Sequence, residues 1–280
     1  MRGITWVASY PKSGNTWMRM WLTSYFRPGR VVELNRLAIP SIADVSWFDR
    51  YSVVPPSELS AAELWCLRPD LHRGVAAEAT AQTAFKVHDA FGVTPEGDLL
   101  FPPEVSRLVV YLVRHPGDVA LSLAAHLGIT VDQAVEFMGA SGAVLGERSR
   151  TQLPQVVDSW SRHVDGWTRQ THIPVVVVRY EDMLDNPHAA FHHVLTALGE
   201  SVDERRVQDC VEQARFERVR QVEAESGFVE KPVTATAAFF RTGRSGNWRT
   251  QMPAALLNRI ADTHAAAMAR FGYDPDEMHR

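Results

Sequence analysis

Four short, nearly continuous apolar runs mark out the chain, at residues 4–8, 83–88, 107–113 and 174–183, the last with a polar end. Each has strand length and is rich in β-branched or aromatic residues. Apolar residues without strict alternation are what a parallel sheet covered on both faces requires. Around these runs the apolar spacing changes to three and four residues, the period of a helix packed on one side. Trp17, Met18, Met20, Trp21 and Leu22 follow the first run, in a helix expected from Thr16 with Asn15 or Thr16 as its cap. Val119, Ala120, Leu121, Leu123 and Leu127 follow the third run, behind Pro116. Val156, Val157, Trp160, Val164 and Trp167 form one helical face ahead of the fourth. Asn186-Pro187 opens a helix through residue 198, residues 204–214 form another, and an amphipathic helix over 254–271 comes last. The alternation predicts an α/β fold, a doubly wound parallel sheet flanked by helices, in a single domain over 1–280.

The remaining segments are less regular. Pro28, Gly29, Pro40, Pro55, Pro56 and Pro69 punctuate residues 26–75, where a short helix is expected over 57–67 with Ser57 or Ser60 as its cap. Gly139, Gly142 and Gly146 make 128–150 read as a loop or short helices. Segments 38–75, 128–150 and 222–240 are the expected surroundings of a substrate pocket. Trp47, Phe48, Tyr51 and Trp65 either line that pocket or cover the edge of the core.

Composition narrows the class. At 45% hydrophobic residues the chain can bury a full core. A net charge of −4 argues against a nucleic-acid binder that works through bulk charge. Cys66 and Cys210 offer neither a disulfide framework nor a metal cluster, so no metal and a reducing, cytoplasmic setting are expected. The charged and polar residues near the start of the sequence predict no signal peptide, and no run approaches the roughly 20 apolar residues of a spanning helix.

Chemistry gathers where strands hand over to helices. The turn Pro11-Lys12-Ser13-Gly14-Asn15-Thr16 joins the first strand to the first helix. Backbone N–H groups and the helix dipole make such a turn an anion site, and Lys12 adds a cation. Lys12 precedes the glycine, which rules out a Walker A loop. Lys86 and His88 lie two apart at the end of the second run and share a face. A histidine there can take a proton from a hydroxyl, and a lysine can neutralise charge developing on the bridging oxygen. Arg114 stands at another strand-to-helix turn, with Ser122 two turns further on.

In this order the motifs resemble those of PAPS-dependent sulfotransferases, PAPS being 3′-phosphoadenosine 5′-phosphosulfate. Lys12-Ser13-Gly14-Asn15-Thr16-Trp17 is similar to the family's 5′-phosphosulfate loop, and Lys86-Val87-His88 to its KTH sequence. The run from Arg114 to Ser122 resembles its 3′-phosphate strand and helix, Ser159 to Trp167 its SW-x-x-H-V helix, and Tyr180-Glu181-Asp182-Met183 its YEDM strand end. Arg241-Thr242-Gly243 through Trp248 resembles its RKGxxGDW loop, with Thr242 in place of the lysine and Asn247 in place of the aspartate, and Arg244 nearby as a substitute cation. The RFERV segment around Phe216 retains only the aromatic of the family's SFxxM.

The resemblance implies a P-loop-like fold and sulfuryl transfer by in-line displacement, with His88 as general base and Lys12 and Lys86 stabilising charge. It implies cofactor contacts from Lys12, Ser13, Gly14, Asn15, Thr16, Trp17, Arg114, Ser122, Tyr180, Arg241, Thr242 and Gly243. Trp17 and Tyr180 would meet the adenine, and 3′-phosphoadenosine 5′-phosphate (PAP) would leave. The tryptophans of the SW-x-x-H-V helix read as core, and His163 reads as structural. The implied partner is a small hydroxyl-bearing acceptor, a bacterial secondary metabolite such as an antibiotic with a simple phenol or sterol as the alternative, with no nucleic acid and with a homodimer left open. Two rivals stand beside this reading. An ATP-dependent P-loop kinase would need an acidic Mg²⁺ ligand, with Asp89 or Asp182 as candidates. A non-catalytic nucleotide-binding protein would have no use for Lys86 and His88.

Overall fold

A computed structural model describes residues 3–29, 32–80, 83–146, 149–235 and 237–279. The chain resolves into two compact units, Met1–Tyr10 with Ile39–Tyr111 and Ser141–Val177, and Pro11–Ala38 with Leu112–Ala140 and Val178–Arg280.

All four expected strands are present: β1 (Ile4–Ser9), β2 (Ala84–Val87), β3 (Ser106–Val113) and, near residue 175, one more. They form a parallel central sheet flanked by helices, β1 pairing with β2 in the register Val7 to Lys86 and Ala8 to Val87. Every residue of β1 is buried, which explains its unbroken apolarity. In the first unit, Trp6 packs on His72 (ring centroids 4.9 Å apart) and Phe101 (5.1 Å), and Phe101 on Trp167 (4.7 Å).

Along the chain, α1 (Asn15–Phe26) follows β1, then α2 (Val45–Tyr51), α3 (Ala61–Ala77), β2, β3 and α4 (Pro116–Leu127). The α5 helix (Val131–Gly139) precedes a two-residue hairpin pair, β4 (Val144–Leu145) and β5 (Gln155–Val156). After these come α6 (Trp160–Arg169), β6 (Val175–Arg179), α7 (Tyr180–Asp185), α8 (Pro187–Ala197), α9 (Glu204–Gln213), α10 (Phe216–Ser226), α11 (Trp248–Gln251) and α12 (Ala254–Arg270). The strands of the sheet lie in the order β2-β1-β3-β6. In the second unit α1 packs against α9, Trp21 of α1 meets Phe191 of α8 at 5.1 Å, and α12 packs on α4 and α5.

Several local expectations are corrected. Neither Asn15 nor Thr16 caps α1: Gly14 holds the N-cap position at φ 97°, with no side-chain cap bond. The helix expected over 57–67 starts later and runs longer. Ser60 and Glu63 form its capping box, and α3 continues through Pro69. Burial of Leu64, Leu71, His72 and Val75 outweighs the one N–H that the proline removes. Asp44 caps α2, a helix within a stretch read as irregular. Segment 128–150, expected as a loop or short helices, does carry a short helix, α5, behind the Thr130/Gln133 capping box.

Val156 is in β5, not on the helical face assigned to it, because Asp158 turns left-handed at φ 56° and Ser159 caps α6. The last strand ends at Arg179, and Tyr180 to Asp185 are helical rather than extended. Helix α10 reaches Ser226 in the segment 222–240. Of the segments expected around a pocket, residues 147, 148 and 236 lie outside the described residues.

Candidate active site

The turn between β1 and α1 is built from backbone. Lys12 at φ 70° and Gly14 at φ 97° both adopt the left-handed region, the alternation that turns successive N–H groups toward one anion. A Cβ on Gly14 would sit 2.7 Å from the Tyr180 ring, so only glycine allows this approach. The N-cap of α1 is Gly14, so the positive end of the helix carries no side-chain cap from that position. Ser13 is fully buried, and its Oγ has no hydrogen-bond partner among the described residues. Asn15 and Thr16 are buried beside it. Trp17 is half-buried; its indole N–H donates to Ala214 O at 2.8 Å, and its ring meets Tyr180 edge-on at 5.8 Å.

Arg114 ties this turn to a second one. Its Nη1 donates to the Lys12 carbonyl at 3.1 Å and its Nη2 to the Arg244 carbonyl at 3.1 Å, and its guanidinium lies 4.1 Å over the Tyr180 ring. The helix behind it starts cleanly, with Pro116 at N1 and His115 Nδ1 accepting from Gly117 N–H at 3.2 Å. Asp118, 1% exposed, accepts from the backbone of Gly246 (2.6 Å) and Trp248 (3.3 Å), closing the far end of the Arg241 loop.

Within that loop Gly243 is left-handed, and a Cβ there would fall 2.3 Å from Phe216. Phe216, the residue kept from an otherwise degraded motif, thus abuts the loop. Thr242 Oγ1 accepts from Asn247 Nδ2 at 3.4 Å. Arg244 contributes its backbone carbonyl to Arg114.

Lys12, Ser122 and Arg241 line one pocket together with His126 and Phe239. Burial, and after it the neighbouring Arg114, push the Arg241 guanidinium down from its usual range, partly offset by Asp118. Cations gathered in this way favour an anion between them. Lys12 Nζ rests 3.5 Å over the Phe239 ring. The second unit therefore brings together Lys12, Ser122 and Arg241 at one pocket, with Arg114, Tyr180 and Gly243 in the contacts that frame it.

The first unit holds Lys86 and His88. Both are half-buried, alternating with buried Phe85 and Val87. His88 Nδ1 is 2.9 Å from the Ser9 carbonyl at the end of β1, which requires Nδ1 to carry the hydrogen. The lone pair therefore resides on Nε2. Behind the backbone, His163 Nε2 donates to His88 O at 3.1 Å and its Nδ1 accepts from the Tyr111 hydroxyl at 2.8 Å. Burial lowers the His163 imidazole to about 3, so it is a neutral prop, the structural role expected of it.

Asp89 is fully enclosed and accepts from Arg68 Nη1 at 2.7 Å and from Val156 N–H at 3.0 Å; its carbonyl accepts from Trp167 Nε1 at 2.9 Å. Asp182 pairs with Arg179 at 3.3 Å. Both carboxylates that a kinase would need are thus engaged by arginine. No group of three or more metal-ligating side chains occurs among the described residues.

The aromatics divide. Phe48 is core, at 1% exposure; Trp47 meets Phe85 edge-on at 5.0 Å; Tyr51 packs on Gly74; and Trp65 Nε1 donates to Val93 O at 3.2 Å. Sequence reading passed over the props of the site: Ser9, Tyr111, Arg68 and Glu223. None belongs to a spaced motif, and only their contacts identify them.

Comparison with known proteins gives the chain's family and fold. The sulfotransferase domain family model matches residues 3–272. Sulfotransferase 1A1 of Canis lupus familiaris is 26% identical over 280 residues, covering 95% of this chain and 83% of its own. Luciferin sulfotransferase of Photinus pyralis is 23% identical, covering 90% of this chain and 68% of its own. Among solved structures, retinol dehydratase with androsterone and inactive cofactor PAP superposes with a TM-score of 0.62 at 18% identity, covering 95% of this chain and 80% of that one. Mouse sulfotransferase SULT7A1 with PAP gives 0.57 at 18% identity, covering 96% and 85%. The P-loop-like α/β fold is common to them all. With its motifs in order across a family match from residue 3 to residue 272, the chain belongs to the sulfotransferase family, the PAPS-dependent group its motifs resemble.

Proposed function

We propose that this sulfotransferase uses PAPS to sulfate a hydroxyl of a small-molecule acceptor, and that the acceptor is a bacterial secondary metabolite. The observation that carries the cofactor half is the pocket uniting Lys12, Ser122 and Arg241, beside the orphaned, buried Ser13 Oγ. A ligand with phosphates at both ends of a nucleoside suits two cationic turns bridged by Arg114. The residues fit the group: a glycine-floored turn and uncapped helix for the 5′ end, and Arg114, Ser122 and Arg241 for the 3′-phosphate, with Thr242 and Gly243 in the same loop. Trp17 and Tyr180 supply aromatic surface for the base. When bound, PAPS supplies the sulfuryl group and carries away the electrons of the broken bond as PAP.

The chain's own residues do the rest. His88 takes the acceptor's hydroxyl proton at Nε2, because Nδ1–H is committed to Ser9. Lys86 and Lys12 counter the charge that develops on the transferring and bridging oxygens. The acceptor class follows from the resemblance to bacterial tailoring enzymes, and one relative, luciferin sulfotransferase, carries a small molecule in its name.

The test is calorimetric titration with PAP, adenosine 5′-monophosphate and ATP, followed by an acceptor screen with PAPS in the absence of Mg²⁺. Micromolar PAP binding that needs the 3′-phosphate, and sulfation without Mg²⁺, are the expected results. ATP binding improved by Mg²⁺ would replace this reading with the kinase.

A further inference from the structure

Glu223 lies on α10, buried at 8% exposure. Its Oε1 accepts from Phe239 N–H at 2.6 Å and its Oε2 from Phe240 N–H at 2.9 Å. One carboxylate holding two consecutive amides, one on each oxygen, fixes both the place and the direction of the chain at that point. The next residue is Arg241. At the other end of the segment Asp118 holds Gly246 and Trp248 in the same manner. Residues 241–245 are thus suspended between two buried carboxylates. Asp118 sits in a motif legible from sequence; Glu223 sits in none.

The charge of Glu223 has a cost for the site. A carboxylate on the two residues preceding an anion-gripping arginine repels the anion. Its benefit is geometric, since the amides it holds set where Arg241 starts. The Lys12 ammonium rests on the ring of Phe239, one of the two residues it holds, so the clamp bears on both cations of the pocket.

We infer that Glu223 is a positioning residue for cofactor binding: it holds the Arg241 loop in the form that grips the 3′-phosphate, and so couples α10 to affinity for that phosphate. The inference rests on the reading of Arg241 as a 3′-phosphate ligand. Coulomb's law alone predicts that neutralising Glu223 tightens binding of a bisphosphate, whereas the clamp predicts the opposite sign.

The experiment is equilibrium binding of PAP and of adenosine 5′-monophosphate to the wild type, Glu223→Gln and Glu225→Gln. Glu225 is an exposed carboxylate on the same helix and serves as the charge control. Loss of charge-assisted hydrogen bonds predicts PAP binding weakened about tenfold in Glu223→Gln. Monophosphate binding stays unchanged, and Glu225→Gln matches the wild type with both nucleotides. Unchanged or tighter PAP binding in Glu223→Gln, or equal losses with both nucleotides, overturns the inference. Should the Gln variant fail to fold, Glu223→Asp keeps the charge but withdraws it by one methylene, and the same ratio is read with the same expectation. A wild type that does not prefer PAP to the monophosphate removes the underlying reading of Arg241, a result distinct from a wild-type preference that survives in the variants.

Discussion

The Arg114 guanidinium donates to the main-chain carbonyl of Lys12 at 3.1 Å, so one side chain ties the two turns proposed to hold the cofactor's anions. Its other arm reaches Arg244 O, and the Tyr180 ring lies beneath it. Arg114→Ala removes a charge and both tethers. The expected result is PAP affinity lower by roughly 10–100-fold, with monophosphate affinity reduced much less. Calorimetry on the purified variant decides it, and a variant that binds PAP like the wild type refutes the role.

His88 is oriented by Ser9 and propped by His163. Replacing His88 by Ala removes the proposed proton acceptor and leaves the proposed cofactor contacts in place. Turnover is expected to fall by about 10²–10⁴ while the PAP dissociation constant stays near the wild-type value. Parallel loss of turnover and affinity would sink the assignment of a base.

Arg68 and Asp89 form an ion pair of which 2% and 1% of the side chains are exposed, directly after His88 in the chain. Burial pushes the Asp89 carboxyl above its usual range, with Arg68 opposing. Arg68→Met leaves that carboxylate buried without its cation and is expected to destabilise the fold by about 3–5 kcal/mol. Arg68→Met combined with Asp89→Asn restores most of the loss. Urea unfolding of the single and double variants measures the difference, and equal stability of the two would show that the pair is not coupled.

Four buried imidazoles set an acid limit. Burial lowers His72, His115 and His163 to about 3 and His264 to about 4, with Arg68 adding to the effect at His72 and Arg249 at His115. A depressed histidine is neutral in the native state and protonates first in the unfolded chain. Stability is therefore full above the unfolded value near 6.5 and declines as pH falls toward about 4 for His264 and about 3 for the other three, by at most about 1.4 kcal/mol per pH unit per histidine. Asp89, raised by burial, acts in the opposite direction as a single group. Urea midpoints should be lower at about pH 5 than at about pH 7. A flat profile would mean that these rings take up protons without unfolding.

Much of this protein is decided locally. The runs that became β1 and most of β3 are apolar because the sheet buries both their faces, while β2 and β6 bury alternate residues, and such runs are legible without coordinates. The turn around Lys12, the Lys86/His88 pair and the strand exit at Arg114 were legible too, since a phosphate turn or a shared strand face depends on residues close in sequence. Helix limits were less so: α6 starts late because Asp158 turns left-handed, and α3 runs through Pro69 because its apolar face is buried elsewhere.

What only the tertiary structure decided is the set of partners. That Ser9 selects the His88 tautomer, that Arg68 takes Asp89 and that Glu223 holds Phe239 and Phe240 are contacts between residues 16 to 79 positions apart. Such contacts leave no period and no spacing behind. A buried carboxylate or imidazole reads in sequence like an exposed one, because the free energy that assigns it a role, desolvation balanced by a specific hydrogen bond, exists only once the chain has folded around it.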